Sequence, residues 1–429
     1  MVRRMGPPRR AGPDAYRIPR WDGKTTASVH GGHPAFTKYG AARRRGYTPG
    51  TMTRSLESYR DLFPVLKEQL YLNHAGVAPT SLRAAEAVRG WMEDIVHHGI
   101  KHERGWEAHC ERVRGLAARL INAEPGEIAF VRNTSHGLGL VAEGLDWTPG
   151  DEVVVASSLE YPSNVYPWLH LKDRGVTVRE IQTPEGGVTP EAVAAALTPS
   201  TRLVAVSSVQ FATGYRTDLD AVGALCERAG VLFCVDGIQS VGCIPVDVKK
   251  SRIHFLSADS HKWMLGIAGI GFLYVAKDVL PRLRPVLVGW RSTTDAWNFN
   301  RSHFELRPDA GKLEEGSAAY TGIYALGAAL ELLHEVGVDA ISARIRELLG
   351  QLETGLRGLG CDVGPAPEHR AGILTFLPPE GEARALGAWL AGREVALSVR
   401  RGRVRLSPHF YNLPEEMDRL VELVRTHRG

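Results

Sequence analysis

The fold is decided by VLFCVDGIQSVG, residues 231–242, together with HFLSADSHKWM, residues 254–264. Each segment begins with a short apolar run; Asp236 closes the first run, and Lys262 comes three residues after the second. Such runs, bounded by polar and glycine residues, predict buried strands of a parallel sheet. Because the carboxyl ends of neighbouring parallel strands open into one crevice, we expect Asp236 and Lys262 to share a site.

An amine and a carboxylate in one crevice are the two groups that pyridoxal 5′-phosphate (PLP) requires. The amine forms a Schiff base with the aldehyde, and the carboxylate keeps the pyridine nitrogen protonated. Taken singly, a lysine after a strand is usually a solvated loop residue, and an aspartate there is usually a helix cap. The pair in this order, with Gln239 after Asp236 and His261 before Lys262, favours the cofactor site.

Through the VDG-x-Q and HK patterns together, the chain from about Tyr71 to its end resembles the class V aminotransferases and cysteine desulfurases. These are PLP-dependent enzymes of fold type I. The resemblance implies an α/β fold, the PLP-dependent transferase fold type I, with a mostly parallel sheet in a large domain and a smaller α+β C-terminal domain. It also implies a homodimer with shared active sites.

The order of apolar segments predicts the same architecture. Strand and helix patterns alternate from residue 71, which is typical of a parallel sheet covered by helices. GFLYV, residues 271–275, follows the preceding strand too closely for a helical crossover, so it is predicted to pair antiparallel. We expect a disordered Arg/Gly/Pro-rich leader at 1–51, an N-terminal segment and large PLP-binding domain at 52–325, and a small C-terminal domain at 326–429.

Composition narrows the function classes. Residues 1–50 hold 11 of the 52 Lys and Arg residues but 2 of the 48 Asp and Glu residues, so the remainder is mildly acidic. A mildly acidic chain after residue 50 predicts no nucleic-acid partner. No apolar run approaches 18 residues, which predicts no membrane span. Five scattered cysteines without a CxxC pair are typical of reduced thiols and predict a cytoplasmic protein.

The segment VRNTSHG, residues 131–137, places hydroxyls between a strand and a helix, where a phosphate binds well. The resemblance implies that Thr134, Ser135 and His261 bind the cofactor phosphate. The family's serine two residues before the histidine aligns with Asp259, a carboxylate that would repel the phosphate. Whether Asp259 turns away and Ser257 or Ser260 replaces the serine stays open at this point.

Other side chains are expected around the cofactor ring and its oxygen. Tyr161 occupies the position of the histidine that stacks on the ring in desulfurases, and an aromatic face suits that role. A tyrosine does not carry protons near neutral pH as a histidine does, which counts against desulfurase chemistry. By resemblance, Ser208 and Gln239 reach the region of the phenolic oxygen.

Two positions concern the second subunit. By resemblance, Ser317 reaches the phosphate of the partner's cofactor, and His98 lies where a partner contributes a substrate-facing residue. His98 and His102 also stand at the i, i+4 spacing of metal ligands, but we predict no metal site because we find no third ligand at usable spacing.

The substrate's carboxylate calls for an arginine. Arg405 matches the family's carboxylate-binding arginine in the R-x-S…Y-N pattern, and Arg400 is the second choice. Desulfurases insert a loop with the sulfur-accepting cysteine between these arginines. Here the two are five residues apart with no cysteine between them.

The sequence therefore predicts a PLP-dependent class V aminotransferase-like enzyme acting on an amino acid through a Lys262 Schiff base. The alternatives are a C–S lyase or cysteine desulfurase-like enzyme, then enzymes resembling isopenicillin N epimerase or kynureninase. A non-catalytic regulator of the same fold is disfavoured because Lys262 and Asp236 are both present. The substrate is not specified by these residues.

Overall fold

A computed structural model describes residues 55–183, 186–299, 302–379 and 381–427. The predicted leader at 1–51 lies outside these residues. The described helices are α1 Leu82–His98, α2 Glu103–Leu120, α3 Thr134–Gly144, α4 Tyr166–His170, α5 Pro190–Ala196, α6 Leu219–Ala229, α7 Tyr320–Val336, α8 Val338–Gly358, α9 Ala383–Ala391 and α10 Pro414–Thr426. The strands are β1 Leu70–Tyr71, β2 Ile128–Val131, β3 Glu152–Val155, β4 Thr177–Glu180, β5 Thr201–Ser207, β6 Leu232–Asp236, β7 Phe255–Asp259, β8 Gly271–Val275, β9 Asp362–Gly364, β10 Leu374–Leu377, β11 Val395–Ala396, β12 Ser398–Arg400 and β13 Arg403–Leu406.

A seven-stranded sheet forms the larger layer, in the order β2-β8-β7-β6-β5-β3-β4. Neighbouring strands from β7 to β4 are parallel, whereas β8 runs antiparallel to both β7 and β2. The strands β6, β7 and β8 are buried at every position, as expected where helices cover both faces. The predicted mostly parallel sheet and the antiparallel pairing of GFLYV are confirmed.

The register of the central strands places the chemistry at one edge. Asp236 pairs with Ser207 of β5 on one side and with Ser257 of β7 on the other. Lys262 follows the last residue of β7 by three positions. Both residues therefore leave the sheet at the carboxyl ends of adjacent parallel strands.

Helix α3 is seated directly against this edge. Asn133 caps it by accepting a hydrogen bond from the backbone N–H of His136 at 2.9 Å. A Cβ atom at Gly137 would lie 2.2 Å from Ser257 Oγ, so only glycine allows the helix to approach β7 this closely. The helix N-terminus is thereby held beside the strand that leads to Lys262.

A second sheet, entirely antiparallel, has the order β12-β13-β10-β9. The helices α8, α9 and α10 contact its strands or each other. This sheet and its helices agree with the smaller α+β layer expected after α7, while the domain boundary at residue 325 stays a prediction. The short strand β1 pairs with β11, which ties the beginning of the described chain to this layer.

The small pairings were not predicted. Strand β4 is half exposed along its length, and β1 and β11 have two residues each. None of these three strands therefore shows an apolar pattern in the sequence. None of the helices in the described part of the chain has the length and apolar character needed to cross a bilayer.

Candidate active site

Asp236 and Lys262 lie within electrostatic reach of each other at the carboxyl edge of the sheet. Asp236 is buried and accepts a hydrogen bond from the backbone N–H of Ile238 at 3.0 Å. Burial raises the pKa of Asp236, and the Glu160 charge raises it further. Burial lowers the pKa of Lys262, against the opposing effect of the Asp236 charge. The structure thus brings together the pair on which the sequence prediction rests.

The N-terminus of α3 lies on one side of this pair. Thr134 is buried, and its hydroxyl accepts a hydrogen bond from the backbone N–H of Asp259 at 3.2 Å. Ser135 is exposed, and its hydroxyl lies 2.7 Å from that of Ser163. Exposed hydroxyls at a helix N-terminus form a favourable place for a dianion. His261 directly precedes Lys262, with 19% of its side chain exposed.

Asp259 lies against the imidazole that precedes Lys262. Its carboxylate faces His261, with 3.1 Å between Asp259 Oδ2 and His261 Nδ1, a close contact outside hydrogen-bonding geometry. Both candidate serines donate hydrogen bonds within the protein, and which hydroxyl replaces the family serine stays a prediction. Ser257 donates to the backbone carbonyl of Thr134 at 3.3 Å, and Ser260 donates to that of Ile267 at 2.7 Å. Asp259 therefore pairs with the imidazole beside the lysine.

Tyr161 lies close to Lys262, with its ring facing the amine. The ring centroid lies 5.8 Å from Lys262 Nζ, and the ring packs edge-on against Phe211 at 5.2 Å. The side chain is 49% exposed, so one aromatic face is available to a planar ligand. A cavity of about 540 Å³ adjoins it, lined by Tyr161 together with Ser135, Ser163 and Tyr166.

Ser208 and Gln239 are buried near Asp236, but their hydrogen bonds are made within the protein. The Ser208 hydroxyl donates to the backbone carbonyl of Asp236 at 3.0 Å. The Gln239 amide donates to the carbonyl of Ala75 at 3.0 Å and accepts from the Trp263 indole at 2.8 Å. These contacts fix the Asp236 and Lys262 segments, and cofactor binding by the two side chains stays a prediction.

Arg405 enters the crevice from the second sheet. Its side chain is 2% exposed, donating to the carbonyl of Phe211 at 2.5 Å and to the Ser398 hydroxyl at 2.9 Å. Burial and, to a smaller extent, the Arg400 charge lower its pKa to about 10. No carboxylate forms an ion pair with Arg405 in the part of the chain that the structure describes. A buried cation without an internal counter-ion favours an anionic ligand.

Arg400 is exposed, yet its charge also lowers the pKa of Lys262, so it belongs to the same region. A tight turn joins β12 to β13, with positive φ at Arg401 and Gly402, and leaves no room for a cysteine-bearing loop. All five cysteines are buried. Burial raises the pKa of Cys110 and of Cys226 to about 12, which keeps these thiols protonated and unreactive.

Two predicted residues lie outside this group. Ser317 is exposed, and His98 contacts Asp94, with 3.0 Å between His98 Nδ1 and Asp94 Oδ1. Their roles toward a partner subunit stay predictions. Asp94 is the third ligand-type side chain that the sequence analysis did not find, although it stands four residues before His98.

Sequence reasoning also missed Glu160. This buried carboxylate accepts hydrogen bonds from the backbone N–H of Ser207 at 2.7 Å and from the Gln210 amide at 3.0 Å. It raises the pKa of Asp236 and joins the loop before Tyr161 to β5. Its position directly before Tyr161 was the available signal.

The residues present fit PLP. His261 Nδ1 and Gln210 Oε1 are buried without a hydrogen-bond partner, the pattern left where a polar ligand completes a site. A buried carboxylate suits the pyridine nitrogen, the α3 N-terminus suits the phosphate, and Lys262 suits the aldehyde. The site therefore offers a suitable group to the pyridine nitrogen, the phosphate and the aldehyde of the cofactor.

Comparison with known proteins agrees with this geometry. The family model for aminotransferase class-V matches residues 70–420. A probable cysteine desulfurase of Methanothermobacter thermautotrophicus is 31% identical over 87% of this chain and 98% of its own. The uncharacterized aminotransferase YcbU of Bacillus subtilis is 29% identical over 85% of this chain and 96% of its own.

Among solved structures, the cystine C–S lyase C-DES in complex with its product cysteine persulfide has a TM-score of 0.78. It is 27% identical, covering 84% of this chain and 98% of that one. A lysine mutant of C-DES was solved with glycine covalently linked to its PLP cofactor. PLP is the cofactor for which this site is built.

Proposed function

We propose that this chain, which belongs to the class V aminotransferase family, is a PLP-dependent enzyme that removes the Cα proton of an α-amino acid and transfers its amino group. The observation that carries the proposal is Arg405. Its guanidinium is buried, has no internal counter-ion among the described residues, and lies close enough to Lys262 to lower the lysine's pKa. An arginine so placed binds the carboxylate that every α-amino acid carries.

When bound, PLP takes up the substrate nitrogen and withdraws electrons from Cα. Asp236 would hold the pyridine nitrogen, the α3 N-terminus with Ser135 and His261 would hold the phosphate, and Tyr161 would cover one ring face. These assignments are supported by the burial of Asp236, by the exposed Ser135 at the α3 N-terminus, and by the 5.8 Å between the Tyr161 ring and Lys262 Nζ.

Lys262 has two tasks in this proposal. It is the residue that holds the cofactor covalently between turnovers, and its Nζ takes the proton from Cα once the substrate is bound. Burial lowers its pKa, so a larger share of the amine is neutral near neutral pH, as a base requires. Arg405 fixes the carboxylate, which orients the Cα–H bond toward Nζ.

Amino-group transfer needs one base that removes and returns a proton, and Lys262 suffices. A C–S lyase is the second candidate, favoured by the likeness to C-DES and by a β12–β13 turn that carries no sulfur-accepting cysteine. Such a lyase releases its sulfur product instead of passing it to a protein thiol.

Release of ammonia distinguishes amino-group transfer from the C–S lyase reaction. With a panel of amino acids, an aminotransferase releases the 2-oxo acid in an amount equal to the bound cofactor and then stops. Addition of a second oxo acid restarts turnover, and no ammonia is released at either stage. With cystine, a lyase releases pyruvate, ammonia and cysteine persulfide over many turnovers. Turnover of cystine with ammonia would replace the first proposal by the second; no reaction with any amino acid would refute both.

We further propose a homodimer, on the evidence of an exposed apolar surface. The exposed apolar side chains are Val286, Leu287, Val288, Trp297, Phe299 and Phe304, which are close in the sequence; the rings of Trp297 and Phe299 contact each other, and Phe299 is 72% exposed. Contiguous exposed apolar side chains usually mark an interface. Light scattering should show a mass of two chains, and Phe299→Asp should shift it to one; a monomeric parent protein would contradict the proposal.

The location that we propose is the cytoplasm, because five cysteines scattered along the chain without a CxxC pair suit a reducing compartment. Cell fractionation tests this directly, and recovery of the protein outside the cytoplasmic fraction would contradict it.

A further inference from the structure

We propose that Asp94, His98 and His102 form a binding site for a divalent transition-metal ion, with zinc as the favoured ion. The Nδ1 atoms of both imidazoles converge on one carboxylate oxygen. Asp94 Oδ1 lies 3.0 Å from His98 Nδ1 and 2.7 Å from His102 Nδ1, and the three ligand atoms all lie within 4.8 Å of one another. This site lies outside the PLP site described above.

The spacing suits coordination. A tetrahedral zinc ion with ligands at about 2.0–2.1 Å places those ligands about 3.3 Å apart. The separations of Asp94 Oδ1 from the two imidazole nitrogens therefore need to widen by about 0.3 and 0.6 Å. Two imidazoles and one carboxylate are ligands that zinc commonly takes, and three protein ligands leave a fourth position for water or a small ligand.

The backbone explains why the three side chains meet. Asp94 and His98 stand one turn apart in the last turns of α1, so they share a face. The helix ends at Gly99, whose φ of +57° turns the chain into a 3₁₀ turn, Gly99–His102. That turn returns His102 over the same face, and its ring centroid lies 4.9 Å from that of His98. A metal ion here would fasten the corner between α1 and α2.

The carboxylate is held by a second layer of contacts. The indole N–H of Trp106 donates to Asp94 Oδ2 at 2.7 Å, which leaves Oδ1 directed at the imidazoles. Trp106 is buried and packs against Trp91 and Tyr320 at centroid distances of 5.9 and 5.6 Å. Hydrogen-bonded outer partners of this kind orient carboxylate ligands in metal sites.

The outer side of the cluster is open. His98 and His102 are 47% and 46% exposed, so an ion enters from solvent without rearrangement of the fold. The same exposure makes substitutions tolerable, because neither imidazole packs in the core. The hydrogen bonds seen between Asp94 and the two histidines are the arrangement that an ion replaces.

The test is a zinc titration of the full-length holoenzyme after removal of any purification tag, with affinity measured against a competing chelator. We expect one ion per chain, with His98→Ala and His102→Ala each weakening binding by at least about 100-fold and Trp106→Phe by about 10-fold. The matched control is His97→Ala, an exposed histidine beside His98 that lies outside the cluster; it should leave the affinity unchanged.

Zinc should also raise the melting temperature of the parent protein and of His97→Ala, but not that of His98→Ala. Cofactor absorbance shows that each variant is folded. Zinc affinity unchanged in the His98→Ala/His102→Ala double variant, or lowered equally by His97→Ala, would mean adventitious binding and would overturn the proposal. Because the readout is zinc affinity, the result does not depend on the reaction proposed for Lys262.

Discussion

Replacing Arg405 by methionine separates substrate binding from structural support. Methionine keeps most of the side-chain volume but removes the guanidinium. The protein loses two charge-assisted hydrogen bonds, to Phe211 and Ser398, worth about 1.5–3 kcal/mol each. It also loses a buried cation that has no counter-ion among the described residues, and such a cation costs several kcal/mol. Because these two effects are of similar size and opposite sign, we expect the free energy of unfolding to change little.

The effect on substrate should be large. A bidentate guanidinium–carboxylate pair consists of two charge-assisted hydrogen bonds of about 1.5–3 kcal/mol each. At the low end, about 3 kcal/mol, its loss lowers kcat/KM for an amino acid by roughly 150-fold. The matching amine, which lacks the α-carboxylate, should be affected less than about 2-fold, since it never forms the pair.

The assay compares the amino acid with its amine, by kcat/KM or by Kd from the cofactor's absorbance. Arg403→Met is the matched control: it lies two residues away on β13 and forms an ion pair with Asp362 at 2.6 Å, away from the crevice. If Arg405→Met weakens both ligands equally and lowers the melting temperature, Arg405 is structural. If it weakens neither, another cation binds the carboxylate.

Two further predictions concern the lysine and the aspartate. Because burial lowers the pKa of Lys262 to about 8, the lysine is increasingly protonated below that pH. The rate at which the apoprotein captures PLP should therefore fall about tenfold per pH unit below pH 8 and level off above it. A rate that keeps rising toward pH 10.5 would mean an ordinary, solvated lysine. Asp236→Asn should lower kcat by at least about 100-fold, because it removes the anion that keeps the pyridine nitrogen protonated. The melting temperature should not fall, because burial already raises the pKa of this carboxyl. Full activity in the variant would show that Asp236 does not serve the ring.

The parallel sheet and the Asp236–Lys262 pair could be predicted because buried strands leave continuous apolar runs. Strand β4 could not, since its alternately exposed edge resembles a loop. The site was predicted by residue type, which does not reveal the bonds that a side chain has already made. Ser208 donates to the Asp236 carbonyl, whereas Gln239 donates to the Ala75 carbonyl and accepts from the Trp263 indole; only the structure shows this.

Asp94 shows a different limit. The spacing of Asp94, His98 and His102 at i, i+4 and i+8 was present in the sequence. On an uninterrupted helix, positions eight apart drift around the axis, so the third residue is not an obvious ligand. The turn at Gly99 brings His102 back to the other two, and such a turn follows from backbone geometry rather than from residue type.

Lys262 is the residue that we propose to hold the cofactor. Reduction of the holoenzyme with borohydride fixes PLP to its lysine, and proteolysis with mass spectrometry then locates it. We predict one modified peptide, containing Lys262, and no modified peptide in Lys262→Ala. Attachment to any other lysine, or a purified protein that takes up no PLP, would contradict the account.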